Sequence, residues 1–366
     1  MILISAGEAS GDSVGAALAE EIRVLRPDCR IVAVGGKRLR GAGAEIVEDS
    51  TRWGAIGLVQ SLLLVPKVYA AFLRVKRWIK RSKPELIVAI DFGAFNVRLC
   101  RFAKAQGCKV LYFMPPGSWR RSSQGQDLKE IADVIATPFK WSAEMLGAEW
   151  VGHPLVQMIG EVGTEQRSKL AIMPGSREHE IELLLPIMAQ AIDRTDIGDL
   201  RPEIVCAPSA DAAKLQSVWD QNCSKPATIS HSAVATLKAS NAGIVCSGTA
   251  TLEAAICGVP MVIVYKVPWW SELEARIIRF KIQLIGMPNI LMGRMAFPEL
   301  IQHQATAEHM SSELSKILSD GEHRNTQLSA MEQLNELLGP QDAVTRTAKL
   351  VVGMLTPSTG TAQHPS

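Results

Sequence analysis

The chain holds 366 residues with 39 basic and 37 acidic side chains; 47% are hydrophobic and 21% charged. That profile belongs to a globular protein long enough for two domains, and it excludes disordered, collagen-like and acidic-tail classes. The longest uncharged apolar stretch, Trp53 to Pro66, has 14 residues, short of the roughly 20 that a membrane-spanning helix needs.

Short β-branched runs alternate with longer helical patterns, which predicts an α/β protein whose parallel sheets are built from βαβ units. The start, Met1-Ile2-Leu3-Ile4-Ser5, has no basic region and no cleavage site, so no secretory signal is read and a cytoplasmic chain is expected. The first strand, 2–5, ends in Gly7-Glu8-Ala9-Ser10-Gly11-Asp12, followed by a helix over 13–25. Small residues at such a turn admit a ligand to the backbone; a plain turn with Ser10 or Asp12 as helix cap is the alternative.

Strands are expected next at 30–34 and 86–90. Between them, 67–83 holds seven basic residues and no acidic one. At about 100° per residue, Val68, Phe72, Val75 and Ile79 form one stripe. With the apolar run from Ile56 before it, the segment 56–83 suits an anionic membrane surface or an amphiphilic anionic substrate, or else a surface helix whose stripe enters the core. Nucleic acid is not expected as a partner: the net charge is +2 and no binding module surrounds the basic run. Glu8 and Asp91, just past the ends of two strands, are the candidate acid/base groups.

A helix at 97–106 and strands at 109–113, 134–136 and near 150–151 complete the first half. Gly152-His153-Pro154 opens a polar segment up to Arg167 that reads as a domain boundary with a cleft beside it. His153 is more often a structural histidine than a catalyst.

The second half predicts strands at 169–173, 203–206, 227–229, 242–246 and 261–264. After the first of them, Gly175-Ser176-Arg177 meets a helix whose open amides favour an anion, with Arg177 as a fork for phosphate and Glu180 in the first turn. After the fourth, Ser247-Gly248-Thr249 repeats the design, and Glu253 is suited to accept from ribose hydroxyls; two such turns point to a nucleotide. Helix capping by Ser247 and Glu253 is the alternative. Seven scattered cysteines without a C-x-x-C pair suggest buried thiols and neither a disulfide framework nor a zinc cluster.

Taken in order, Gly7 to Asp12, Gly152-His153-Pro154, Pro174 to Arg177, Ser247 to Glu253, Pro260-Met261-Val262, Met287-Pro288-Asn289-Ile290-Leu291 with Arg294, and Pro298-Glu299-Leu300-Ile301-Gln302 resemble the lipid-A-disaccharide synthases. The resemblance implies a GT-B fold: two Rossmann-like domains, 1–155 and 167–340, with parallel sheets facing a cleft. A helix at 341–355 returns to the first domain, and a disordered tail fills 356–366. It implies inverting transfer of 2,3-diacylglucosamine from UDP to 2,3-diacylglucosamine 1-phosphate, without metal or cofactor, by an enzyme peripheral to the inner membrane. Gly175, Ser176, Arg177, Ser247, Gly248, Thr249, Glu253, Asn289 and Arg294 would bind the donor. Gly7, Ser10, Asn96, Trp119, Arg120, Arg121 and Gln302 would line the acceptor side. The chain departs from the family twice. Where the family usually has Ile-Asp-x-Pro-Asp-Phe-Asn, with the second aspartate as favoured base, it reads Ile90-Asp91-Phe92-Gly93-Ala94-Phe95-Asn96. Where the family has Ser-Pro-x-Val-Trp-Ala-Trp, it reads Pro115-Pro116-Gly117-Ser118-Trp119-Arg120-Arg121. Asp91 or Glu8 is therefore the expected base. A relative using another UDP-sugar or acceptor, or a silent UDP-sugar or glycolipid binder, is the alternative.

Overall fold

The computed structural model describes residues 1–51, 53, 58–120, 127–163, 167–208, 210–268 and 284–356, with the backbone alone for 58–64. The chain forms two compact units, Met1–Met158 with Leu338–Ser366, and Ile159–Leu337. Each is a parallel sheet covered by helices, so the α/β class read from the sequence holds.

The first sheet contains β1 (Ile2–Ala6), β2 (Ile31–Gly35), β3 (Glu45–Asp49), β4 (Leu86–Ile90), β5 (Lys109–Phe113), β6 (Val134–Thr137) and β7 (Glu149–Trp150), in the order β3-β2-β1-β4-β5-β6-β7. The strands β1 and β4 pair in parallel from Ile2↔Leu86 to Ala6↔Ile90, so their carboxyl ends lie side by side. Side chains alternate across the sheet. Ile2 and Ile4 pack with Leu18 and Ile22 of the helix Ala9–Leu25 and with Val344, Ala348 and Val351 of the last helix, Ala343–Met354. Leu3, Ile87 and Tyr112 face the other way, onto Val75, Ile79, Phe95 and Leu99.

The basic segment belongs to that second layer. It is the helix Leu58–Ser82, which runs through Pro66. Ala71, Val75 and Ile79 are buried, and Val68 and Phe72 pack beside them. The apolar stripe thus enters the core, while Val65, Lys67, Tyr69, Arg77 and Arg81 stay exposed. Arg74 pairs with Glu48, and the Lys76 ammonium sits 4.4 Å from the Phe102 ring centre. Residues 56 and 57 of that segment, and the tail 357–366, lie outside the described residues.

The second sheet contains β8 (Lys169–Met173), β9 (Arg201–Val205), β10 (Thr228–Ser230), β11 (Ser240–Cys246), β12 (Met261–Tyr265) and β13 (Glu299–Ile301), ordered β10-β9-β8-β11-β12-β13. Its core joins Leu170, Ile172 and Ile244 to Leu184, Met188 and Ile192 of the helix Glu178–Arg194. In both sheets the strand order reverses direction at a central pair, β1/β4 and β8/β11. Crevices at the carboxyl ends of such pairs are where open α/β sheets bind ligands.

Two strands escape the sequence pattern. The edge strand β3 reads Glu-Ile-Val-Glu-Asp and is half-exposed, so it lacks an apolar run. The strand β13 has three residues, too few to show a period.

Candidate functional site

In the first unit, the turns after β1 and β4 close on one pocket of about 290 Å³ lined by Gly7, Glu8, Ser10, Gly11, Asp91, Phe92 and Ala94, among others. Gly7 is required there: a Cβ would lie 2.0 Å from the Phe92 ring. Asp91 keeps solvent access at the pocket mouth, yet protein surrounds its carboxyl. Desolvation raises its pKa above 3.8, the Phe92 N–H opposes this, and the charge of Glu8 adds to the rise. Four sequence-predicted residues, Gly7, Glu8, Ser10 and Asp91, are therefore brought together.

The other residues singled out in this unit have different surroundings. Asp12 does not cap its own helix, whose N-cap is Glu8 without a side-chain bond. Its carboxylate instead accepts from the N–H groups of Gly36 at 2.6 Å, Arg38 at 2.9 Å and Leu39 at 3.3 Å, and so anchors the short helix Lys37–Gly41. Asn96 is fully buried behind the pocket, bonded to Ser5, Ile90 and Asp91. Trp119 is partly exposed with the Arg120 guanidinium 5.0 Å from its ring centre, on a segment whose Pro116 closes over Gly93. Arg121 lies outside the described residues. His153 is structural: its buried Nδ1 accepts the Leu155 N–H at 3.3 Å, and burial pushes its pKa down to about 4.

In the second unit the turn after β8 is filled from within. Glu180, 2% exposed, accepts the N–H of Ser176 at 3.0 Å and of Arg177 at 3.2 Å on Oε2, while Oε1 holds the Arg177 guanidinium at 3.0 Å. Gly175, at φ 113°, leaves room for that carboxylate, since a Cβ would meet it at 2.5 Å. The amides of Ser176 and Arg177, expected to await an anion, thus already serve a side chain, while the Arg177 side chain itself is exposed. The turn after β11 differs. The Ser247 hydroxyl donates to Ile285 O at 2.8 Å, and the helix Thr249–Ile256 begins at Gly248 with no side-chain cap; capping by Ser247 is thereby overturned. Gly248 and Thr249 are exposed and Glu253 is half-buried.

Asn289 is fully buried. Its amide donates to Phe297 O at 2.8 Å and Glu299 at 2.7 Å, and its oxygen accepts from Ala296 and Phe297 N–H. It braces the loop behind the Ser247 turn. Arg294 is exposed and bonds Gln333 at 2.9 Å. Gln302 accepts the Val267 N–H at 2.9 Å. Among the described residues, no group of three or more His, Cys, Asp or Glu could hold a metal, and no helix is long and apolar enough to cross a membrane.

The model of the lipid-A-disaccharide synthetase family matches residues 2–351. This chain belongs to that family. A lipid-A-disaccharide synthase of Trichlorobacter lovleyi is 32% identical over 375 residues, covering 97% of each chain. Among solved structures, the calicheamicin glycosyltransferase CalG4 aligns with a TM-score of 0.63 at 14% identity, over 98% of this chain and 99% of that one. S. aureus MnaA, solved with UDP, aligns at 0.61 and 12% identity over 97% of both. The fold is therefore GT-B. The chain is a glycosyltransferase of lipid A biosynthesis, from a family whose substrates are a UDP-sugar donor and a lipid acceptor. Within it, the departure at Ala94 falls in the wall of the first-unit pocket. Glu180, Phe92 and Tyr112 were not singled out as site residues in the sequence, because each acts through a neighbour. The one available signal was Glu180, three positions after Arg177 at a helix start.

Proposed function

We propose that the chain joins UDP-2,3-diacylglucosamine to 2,3-diacylglucosamine 1-phosphate with inversion, giving lipid A disaccharide 1-phosphate and UDP. The observation that carries this reading is the family match from residue 2 to 351. The acceptor hydroxyl gives its proton to the Asp91 carboxylate as its oxygen attacks the anomeric carbon. The bond from that carbon to UDP breaks on the opposite face, and UDP leaves with the electron pair. Glu8, on the same pocket, raises the proton affinity of Asp91 and so strengthens it as a base. Arg177 and the Ser247-Gly248-Thr249 turn neutralise the departing diphosphate, with Glu253 toward the ribose. Trp119, Arg120 and Arg121 meet the anionic acylated acceptor.

The enzyme works at the cytoplasmic face of the inner membrane, held by the exposed basic side of the helix Leu58–Ser82 with Val65 and Tyr69, which are 57% and 60% exposed. Binding to vesicles containing anionic lipid is expected to weaken as salt screens the charges; salt-independent binding would overturn this contact.

The test of the activity is UDP release from the donor with and without the acceptor, the lipid product being identified by mass. Acceptor-dependent release with a disaccharide product is expected. UDP binding without turnover would favour the second reading, a silent UDP-sugar binder, which Ala94 motivates. Ala94→Asp adds to this: a large gain in turnover marks a weakened enzyme, whereas no gain marks a moved base or no catalysis.

A further inference from the structure

We infer that Tyr112 and Asn96 are positioning residues for the transfer, holding the Asp91 peptide so that its carboxyl stays in the pocket. This rests on the reading of Asp91 as base.

Asp91 and Phe92 are consecutive non-glycine residues in the left-handed region, at φ 45° and 48°. Such residues are strained and persist only where their surroundings over-determine them. The surroundings here are specific. The Asp91 carbonyl accepts from the Tyr112 hydroxyl at 2.9 Å and from Asn96 Nδ2 at 3.0 Å. Its N–H donates to Phe113 O at 3.1 Å. Asn96 Nδ2 also reaches Ile90 O at 3.0 Å and Ser5 O at 3.1 Å, while its oxygen accepts the Ser5 hydroxyl at 2.6 Å. The ends of β1 and β4 are thereby tied to each other and to the turn. The Phe92 ring lies over Gly7 and packs with Trp53 and Phe95.

Tyr112 is fully buried among Ile87, Leu99 and Cys100, where a phenylalanine would fill the same space. Its hydroxyl lies within that largely apolar layer, and the Asp91 carbonyl is its acceptor. A buried hydroxyl is retained without loss only when such a bond is made. Without the two donors, the Asp91–Phe92 peptide is free to relax toward right-handed geometry, and the carboxyl leaves its place. A reacting group displaced by about 1 Å loses on the order of a hundredfold in rate.

The experiment compares Tyr112→Phe, Asn96→Asp, Asp91→Asn and the double variant Tyr112→Phe/Asp91→Asn of the full chain, in steady-state UDP release and UDP binding. Asn96→Asp keeps the acceptor for Ser5 but removes the donor to Asp91. Tyr112→Phe and Asn96→Asp are each expected to lower kcat by about tenfold or more, with the KM for the UDP-sugar and the affinity for UDP unchanged. The double variant should be no slower than Asp91→Asn alone. Wild-type kcat in Tyr112→Phe, or a further loss in the double variant, overturns the positioning role while leaving the base in place. Wild-type kcat in Asp91→Asn overturns the base assignment itself, and the positioning role with it.

Discussion

The turns after β1 and β8 share a strand, a glycine, a serine and a helix, yet their carboxylates go opposite ways. After β8, Glu180 folds back on its own turn and occupies the amides of Ser176 and Arg177. After β1, Asp12 reaches 24 to 27 residues along the chain to hold another helix start, and Glu8 faces the pocket with Asp91. In one turn the side chain of the following helix takes two amides, and the exposed Arg177 guanidinium is presented. The other presents Glu8 to a pocket that it shares with Asp91 of the turn after β4. The same local pattern thus presents a cation in one unit and a carboxylate in the other, which in the proposed reading serve the leaving group and the base beside it.

The largest effect expected from this contrast is a division of kinetic roles. Asp91→Asn should lower kcat by about 10²–10⁴, the range for loss of a positioned base, with UDP affinity unchanged. Arg177→Ala should weaken UDP by about tenfold, as for a lost hydrogen bond to a charged group. Titration of UDP into both variants checks this, and equal loss of UDP affinity would break the contrast. The two structural carboxylates provide the next effect. Asp12→Ala leaves the buried N–H groups of Gly36 and Leu39 without their acceptor and should lower unfolding stability by about 3 kcal/mol. Glu180→Ala releases amides of exposed residues, which water can satisfy, and should cost about half as much. Urea denaturation of the pair decides it. The smallest effect is a shift in pH dependence. Because the Asp91 pKa is raised, its carboxylate takes up a proton at a higher pH than a free aspartate. The acid limb of kcat should therefore lie above pH 3.8, and Glu8→Gln, by removing a like charge, should move it down. A limb that stays put on Glu8→Gln would separate the two carboxylates.

Much of the framework was legible along the chain. Buried strands such as Leu86–Ile90 and Lys169–Met173 announce themselves as short apolar runs, and glycine turns follow β1, β8 and β11. The family motifs are equally local, so the GT-B fold and the glycosyltransferase class follow from them. The side-chain roles were less legible. Asn96 and Asn289 were read with the acceptor and the donor, but both are fully buried braces. The stripe of the basic helix was open to two readings, and it joins the core.

Local periodicity and turn composition by themselves determined the α/β class, most strands and the positions of the turns, because these depend on residues a few places apart. Only the tertiary structure decided which carboxylate is enclosed and which is presented. The bond from Asn96 to Ser5 spans 91 positions and that from Tyr112 to Asp91 spans 21. Such contacts exist only once β1, β4 and β5 lie side by side, and the desolvation that raises Asp91 arises from that same assembly.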